Sequence, residues 1–170
     1  MKKIICALLI SFSALLAIEL GQVPTSVELS GENGGKLDGT AWHSSSLTGK
    51  VSTVFYVDPD EKDLNDAFAQ ALKHSTIDKK KTSSVVIINL AATWLPNVLI
   101  ESKLKEKQKR FPNAMYIKDK TKVLVKKWNL EDDNYNILIF DKEGKLIYKK
   151  FGKMSEDEIK KAIVLIKEHL

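Results

Sequence analysis

Cysteine is all but missing from this chain. Its only cysteine, Cys6, falls within the first ten of 170 residues. No intramolecular disulfide can form, and no Cys-x-x-Cys pair exists, so chemistry that needs two thiols is excluded. Histidine is scarce as well. His43, His74 and His169 stand far apart without a His-x-x-x-His spacing, which argues against a zinc centre. Long apolar runs are lacking too: the longest, Ile4 to Ile18, is shorter than the roughly 20 residues that cross a bilayer. There is no internal repeat and no low-complexity tract. Glycine clusters only at Gly31-Glu32-Asn33-Gly34-Gly35, a stretch expected to turn an amino-terminal hairpin.

What is present begins with a basic start, Lys2-Lys3, followed by the uncharged run that stops at Glu19. This is the layout of a secretory signal peptide, with removal expected after Ala17. Residues 1–17 are therefore read as a signal and 18–170 as one domain, with no stable membrane anchor after cleavage. Cys6 leaves with the signal, so the mature chain is expected to be cysteine-free and to rely on its core alone. The roughly 150 residues that remain suffice for one such core.

The formal net charge is +5, or +3 without Lys2 and Lys3. Lys79-Lys80-Lys81 and Lys103, Lys105, Lys107, Lys109 and Arg110 read as solvated surface. They lack the interleaved aromatics of a stacking platform, so no nucleic-acid partner is expected.

Hydrophobic periodicity supplies the order of elements. Val51 to Val57 is β-branched and aromatic, a buried strand, and a turn at Asp58-Pro59 follows. Leu64, Ala67, Phe68, Ala71 and Leu72 recur at helical spacing, predicting an amphipathic helix from about Glu61 to His74 with acidic residues in its first turn. Ser84 to Leu90 is a strand apolar on both faces, as in a parallel sheet between helices. A helix over Val98 to Arg110 turns Leu99, Ile100 and Leu104 inward and ends at Phe111-Pro112. Ala114 to Ile117 is a short strand, and Asp119 to Trp128 a small helix capped by Asp119. Asn136 to Phe140 and Lys145 to Phe151 form a hairpin. Ser155 with Glu158 makes a capping box for a last helix lined by Ile159, Ala162, Ile163 and Ile166. Strand, helix, strand, helix, strand, helix, hairpin, helix calls for an α/β sandwich, a mixed sheet with helices on both faces. Phe55, Val86, Ile88, Leu138 and Phe140 are expected in its buried strands.

Trp42 to Lys50 leading into a strand, Val85 to Asn89, Phe111-Pro112, Trp128-Asn129-Leu130 and Ile137 to Gly144 together resemble the YtfJ family of bacterial periplasmic proteins across nearly all of residues 18–170. The resemblance implies a thioredoxin-like fold and a periplasmic address, and it brings no particular reaction with it. In redox-active members of that fold a Cys-x-x-Cys pair follows the first central strand at a helix amino terminus. Here Asp58, Pro59, Asp60, Glu61, Lys62 and Asp63 fill that place. The cis-proline usual before the hairpin strand would align with Tyr135 or Asn136. Both departures speak against an oxidoreductase, an isomerase or a peroxidase.

Other motifs fall short in detail. Counted as a calcium loop from Asp58, the sixth position is Asp63 where glycine is needed and the twelfth is Ala69 where glutamate is needed. Ser102-Lys103-Leu104-Lys105 matches Ser-x-x-Lys without its partner motifs. Gly49-Lys50 lacks the rest of a phosphate loop. His43 beside Ser44 to Ser46 has no nucleophile elbow. No cofactor or metal is expected.

The leading expectation is a non-catalytic periplasmic binding or accessory module with an envelope protein as partner. Its surface would be formed by Asp58, Asp60, Glu61, Asp63, Trp94 and Tyr135, beside strand ends where such sheets bind ligands. The alternatives are an enzyme using Asp/His acid-base chemistry in the same cleft, and a purely structural envelope protein.

Overall fold

A computed structural model describes residues 17–170. The proposed signal segment, apart from its last residue, and Cys6 lie outside the described residues. Eight strands and four α-helices are present among those described: β1 (Glu28–Leu29), β2 (Gly34–Lys36), β3 (Trp42–His43), β4 (Val51–Val57), α1 (Asp66–His74), β5 (Thr82–Asn89), α2 (Asn97–Arg110), β6 (Ala114–Asp119), α3 (Val123–Trp128), β7 (Tyr135–Phe140), β8 (Leu146–Phe151) and α4 (Glu156–Glu168). The main sheet has the order β2-β6-β5-β4-β7-β8. Its centre, β4, β5 and β6, is parallel, and β2, β7 and β8 run antiparallel to their neighbours.

Alternation along each strand sorts the core into two layers. Val54, Tyr56, Val85, Ile87, Ile117, Leu138 and Phe140 pack on one face, beneath α3 and the small sheet β1-β3. Phe55, Val57, Ile88, Tyr116, Ile137 and Ile139 pack on the other, beneath α1, α2 and α4. This is the predicted mixed sheet with helices on both faces, and the order of elements from β4 to α4 matches the sequence reading throughout. Ile18 belongs to the first layer: it is buried, its N–H donates to Trp128 O at 3.1 Å, and Lys149 Nζ donates to its carbonyl at 2.8 Å.

Several local expectations are corrected. The glycine stretch does not turn a hairpin. Gly31 to Asn33 form a 3-10 turn, and Gly34 and Gly35 enter β2, which pairs with Lys118 and Asp119 at the edge of the main sheet. A Cβ on Gly34 would sit 1.9 Å from Lys118 O, and the residue has φ +128°. Glycine is required because two backbones approach too closely for any side chain. Gly34→Ala is expected to release β2 from β6, lowering global stability by about 1–2 kcal/mol and abolishing hydrogen-exchange protection at the β2 pairs while leaving β4 and β5 protected. Unchanged protection in β2 would refute this close approach.

The first helix begins at Asp66 rather than Glu61: Pro59 to Glu61 form a 3-10 turn, and Ala67 is exposed. On α2, Ile100 and Leu104 are buried as expected, but Leu99 is exposed. Val86 is half-buried rather than buried. The capping box of α4 forms as read. Ser155 N–H donates to Glu158 Oε2 at 2.7 Å, and Lys150 Nζ donates to Oε1 at 2.7 Å. The Lys150 bond first, and then the Ser155 N–H, hold the Glu158 carboxyl well down, from 4.5 to about 2. A folded value below the unfolded one means that the stabilisation is present above the unfolded value and lost as pH falls towards about 2. Glu158→Gln is therefore expected to lower the melting temperature near neutral pH and to match the parent near pH 2. A constant difference across melts over that range would contradict this linkage.

Candidate functional site

The polar residues of this fold gather where its apolar strands run out. β4, β5 and β6 are parallel, so the residues closing them, Asp58, Asn89 and Asp119, come to the same end of the sheet, where β7 also begins with Tyr135 and Asn136. Alternation turns Tyr56, Asn89, Asp119 and Asn136 to the face of α3.

All four are at most 1% exposed, so each needs hydrogen-bond partners. Asp119 is the hub. Its Oδ1 accepts from Thr121 N at 3.2 Å and Val123 N at 2.9 Å, and its Oδ2 from Leu124 N at 3.0 Å and the Tyr56 hydroxyl at 3.2 Å. It thus caps α3 from the end of β6, although Lys122, with φ 58°, occupies the cap position itself. Burial, and then the Asp119 charge, push the Tyr56 phenol far up, so it stays a neutral donor. Asn136 closes the loop before β7 by accepting from Glu131 N at 3.0 Å and donating to Glu131 O at 2.9 Å.

Above this floor sits a charged layer. Asn89 Nδ2 donates to Asp132 Oδ1 at 2.8 Å, and Lys122 Nζ meets Asp132 Oδ2 at 2.5 Å and Asp133 Oδ1 at 3.9 Å. Burial opposes ionisation of Asp132, but the bonds from Lys122 and Asn89 outweigh it and hold the carboxyl below its usual range. Asp58 behaves oppositely. Burial raises its carboxyl, the N–H of Asp60 offsets part of that, and the charges of Asp60, Asp133 and Glu61 raise it further. Asp58 also adds to the field that raises the Lys122 ammonium, after Asp132 and Asp133. Lys122 and Asp133 both hold positive φ, 58° and 50°, a conformation that non-glycine residues avoid and that persists where surroundings over-determine it. Among the described residues, two buried side-chain atoms have no hydrogen-bond partner: Trp42 Nε1 and Asn89 Oδ1. The Asn89 acceptor is therefore unused at the centre of the strand-end cluster.

The structure divides the six residues named from sequence. Asp58 is inside the cluster, its Oδ1 accepting from Asp60 N at 2.9 Å. Asp60, Glu61 and Asp63 point to solvent, and Asp63 pairs with Lys62 at 2.8 Å. They serve neither as a joint ligand set nor as first-turn residues of α1. Trp94 is 87% exposed on the loop after β5, next to exposed Val98 and Leu99. Tyr135 is a correction: it is only 7% exposed and meets the Phe55 ring edge-on at 6.2 Å, so it belongs to the core under α1 and α4 rather than to a surface. No histidine joins the cluster. His43 lies 3.7 Å from Glu28, His74 ends α1, and His169 lies against Leu165 O.

Sequence reading gave no site role to Asn89, Lys122 and Asp132, read Asp119 only as a cap, and read Asn136 as strand and as a possible position of the missing cis-proline. One signal was available: each of four apolar runs breaks at its end with Asp or Asn on the same alternating face. Lys122 and Asp132 carried none, since loops set their positions.

Comparison with known proteins agrees with this geometry. The chain is 23% identical over 132 residues to "Uncharacterized protein YtfJ" of Escherichia coli strain K12, covering 76% of this chain and 72% of that one. It is 25% identical over 128 residues to an uncharacterized protein of Haemophilus influenzae, covering 74% and 70%. Among solved structures, the thioredoxin domain of a thiol-disulfide oxidoreductase from Bacteroides vulgatus superposes with a TM-score of 0.63 at 14% identity, covering 91% of this chain and all of that one. At that identity the likeness shows a shared thioredoxin-like fold and nothing of its chemistry. The family model described as "Bacterial protein of unknown function (YtfJ_HI0045)" matches residues 19–169, nearly the whole of the described chain, and this chain is a member of that family.

Proposed function

We propose that the protein is a binding or accessory module of the bacterial periplasm that keeps a thioredoxin-like scaffold and uses its strand-end surface to hold an envelope protein. The observation that carries this reading is the exposed apolar trio of Trp94, on the connection leaving β5, and Val98 and Leu99, in the first turn of α2, at the end of the sheet where Asp58 and Asn89 lie. Large apolar side chains left in water at a rim of polar groups are the usual mark of a recognition surface. The signal-like amino terminus supports the envelope address. The absence of any thiol beyond Cys6 removes disulfide exchange as a competing use of the scaffold.

A photo-crosslinking side chain at position 94, in cells, should give one discrete adduct. Leu99→Glu should abolish it, and the same probe at Val164, exposed on α4, should not give it. An adduct that is equal at 94 and 164, or indifferent to Leu99→Glu, would remove this surface from consideration.

A second reading, an acid-base enzyme, is favoured by the raised Asp58 carboxyl beside Lys122 and by the unused Asn89 acceptor. Its Asp/His form loses support because no histidine reaches the cluster.

A further inference from the structure

On the opposite face of the sheet from the polar cluster, the strands carry two rows of side chains set by register. Thr53, Ser84 and Ala114 are neighbours across β4, β5 and β6, and Phe55, Val86 and Tyr116 form the next row. The first row is too short to reach the helices above it. A cavity of about 410 Å³ is left over it, walled by Leu72, Ile77, Phe111 and Ile166. This volume lies within the range of small-molecule sites.

The lining adds a charge pattern to this floor of short side chains and its apolar walls. Lys73, Lys79, Lys107 and Arg110 border the cavity, and Asp66 is the one carboxylate residue that does. None of the four cations forms an ion pair with a carboxylate among the described residues. Asp63 lies close enough to Lys107 to feel its charge, after its stronger bond with Lys62. Lys73 Nζ sits 5.8 Å from the centre of the Phe111 ring, joining the end of α1 to the end of α2 at the rim. The apolar row Phe55, Val86 and Tyr116 and the apolar walls, beside a surplus of unpaired cations, fit a molecule with an apolar tail and an anionic head.

We propose that this cavity binds a free single-chain amphiphile with an anionic head group, the tail over Phe55, Val86 and Tyr116 and the head held by Lys73 and Arg110. The floor is sheet surface beneath two helices, so an acyl chain has to leave a bilayer to reach it. The site is separate from the strand-end surface and stands whether or not that surface binds a protein.

The test is calorimetric titration of the purified protein with sodium laurate below its micelle threshold. One-to-one binding is expected, weakened roughly tenfold or more for decanoate, which has two fewer methylenes, and at least tenfold for dodecyltrimethylammonium, which reverses the head charge. Val86→Trp fills the floor and is expected to abolish binding. The pair Lys73→Glu with Arg110→Glu, on the exposed rim and not dependent on core repacking, is expected to weaken it at least tenfold with an unchanged melting temperature. Amide shifts at Thr53, Ser84 and Phe111 place the ligand independently of either variant. Absence of laurate binding, equal affinity for the cationic amphiphile, or indifference to the rim pair would overturn the proposal. Binding only to phosphatidylglycerol vesicles, with none to free laurate, would replace it with a membrane-surface role.

Discussion

Phe140→Ala is expected to lower the free energy of unfolding by about 3–5 kcal/mol, the range for truncating a fully buried phenylalanine. Phe140 has no exposed surface and packs against Trp128 with ring centres 6.0 Å apart. Its strand is bonded on both sides, to β4 through Ser52 and to β8 through Leu146. Neighbours held by two ladders cannot collapse into the space left behind, so most of the cavity persists. Val86→Ala, by contrast, is expected to lose only about 1 kcal/mol, because half-buried Val86 already borders open volume and its loss forfeits little buried area. Urea unfolding of the two variants gives the comparison. Equal losses would mean that the space beside Val86 is closed in solution.

The second large effect belongs to Asp119. Replacing it with alanine removes the acceptor for three backbone N–H groups and for the Tyr56 hydroxyl. Loss of a helix cap contributes about 1 kcal/mol, and a buried phenol left without a partner about 1–3 kcal/mol, so the expected loss is about 2–4 kcal/mol. Asp119→Asn should recover only part of it. One carboxylate oxygen serves Thr121 and Val123 and the other serves Leu124 and Tyr56, so an amide nitrogen at either position sets a donor against donors. Equilibrium unfolding measures both, and a loss under about 0.5 kcal/mol in the alanine variant would show that the hub is not formed. Asp132→Ala removes the Lys122 ion pair and the acceptor of a single buried donor, the Asn89 amide, and is expected to cost less than Asp119→Ala, which leaves four donors without their acceptor.

These two residues also mark how far the strand pattern could be read from the chain. Val51 to Val57 and Asn136 to Phe140 are runs whose neighbours leave no alternative to a strand, whereas their pairing as β4 and β7 is seen only in the structure. Ser155 and Glu158 announced α4 because a capping box acts within one turn. Leu99 and Val86 were misread for one reason: periodicity tells which positions share a face, not whether anything covers that face at a given height. Leu99 shares a helix with buried Ile100 yet is left exposed, and Val86 borders the cavity left over the short side chains of Thr53, Ser84 and Ala114. Tyr135, expected at a surface because of its place before the hairpin, is drawn into the core by Phe55, 80 residues away in the chain.

From sequence alone came the exclusion of chemistry that needs two thiols, the export signal as an expectation, the order of strands and helices, and Asp58 at the end of the first central strand. All of these depend on residue identity or on spacing within a single segment. The charged layer of Lys122, Asp132 and Asn89, the role of Gly34 against Lys118, and the cation-rimmed cavity over Thr53, Ser84 and Ala114 were decided only by tertiary structure. Each depends on segments far apart in the chain whose relative heights are set by strand register. Register is fixed by packing the whole sheet, a sum over contacts that no local window contains.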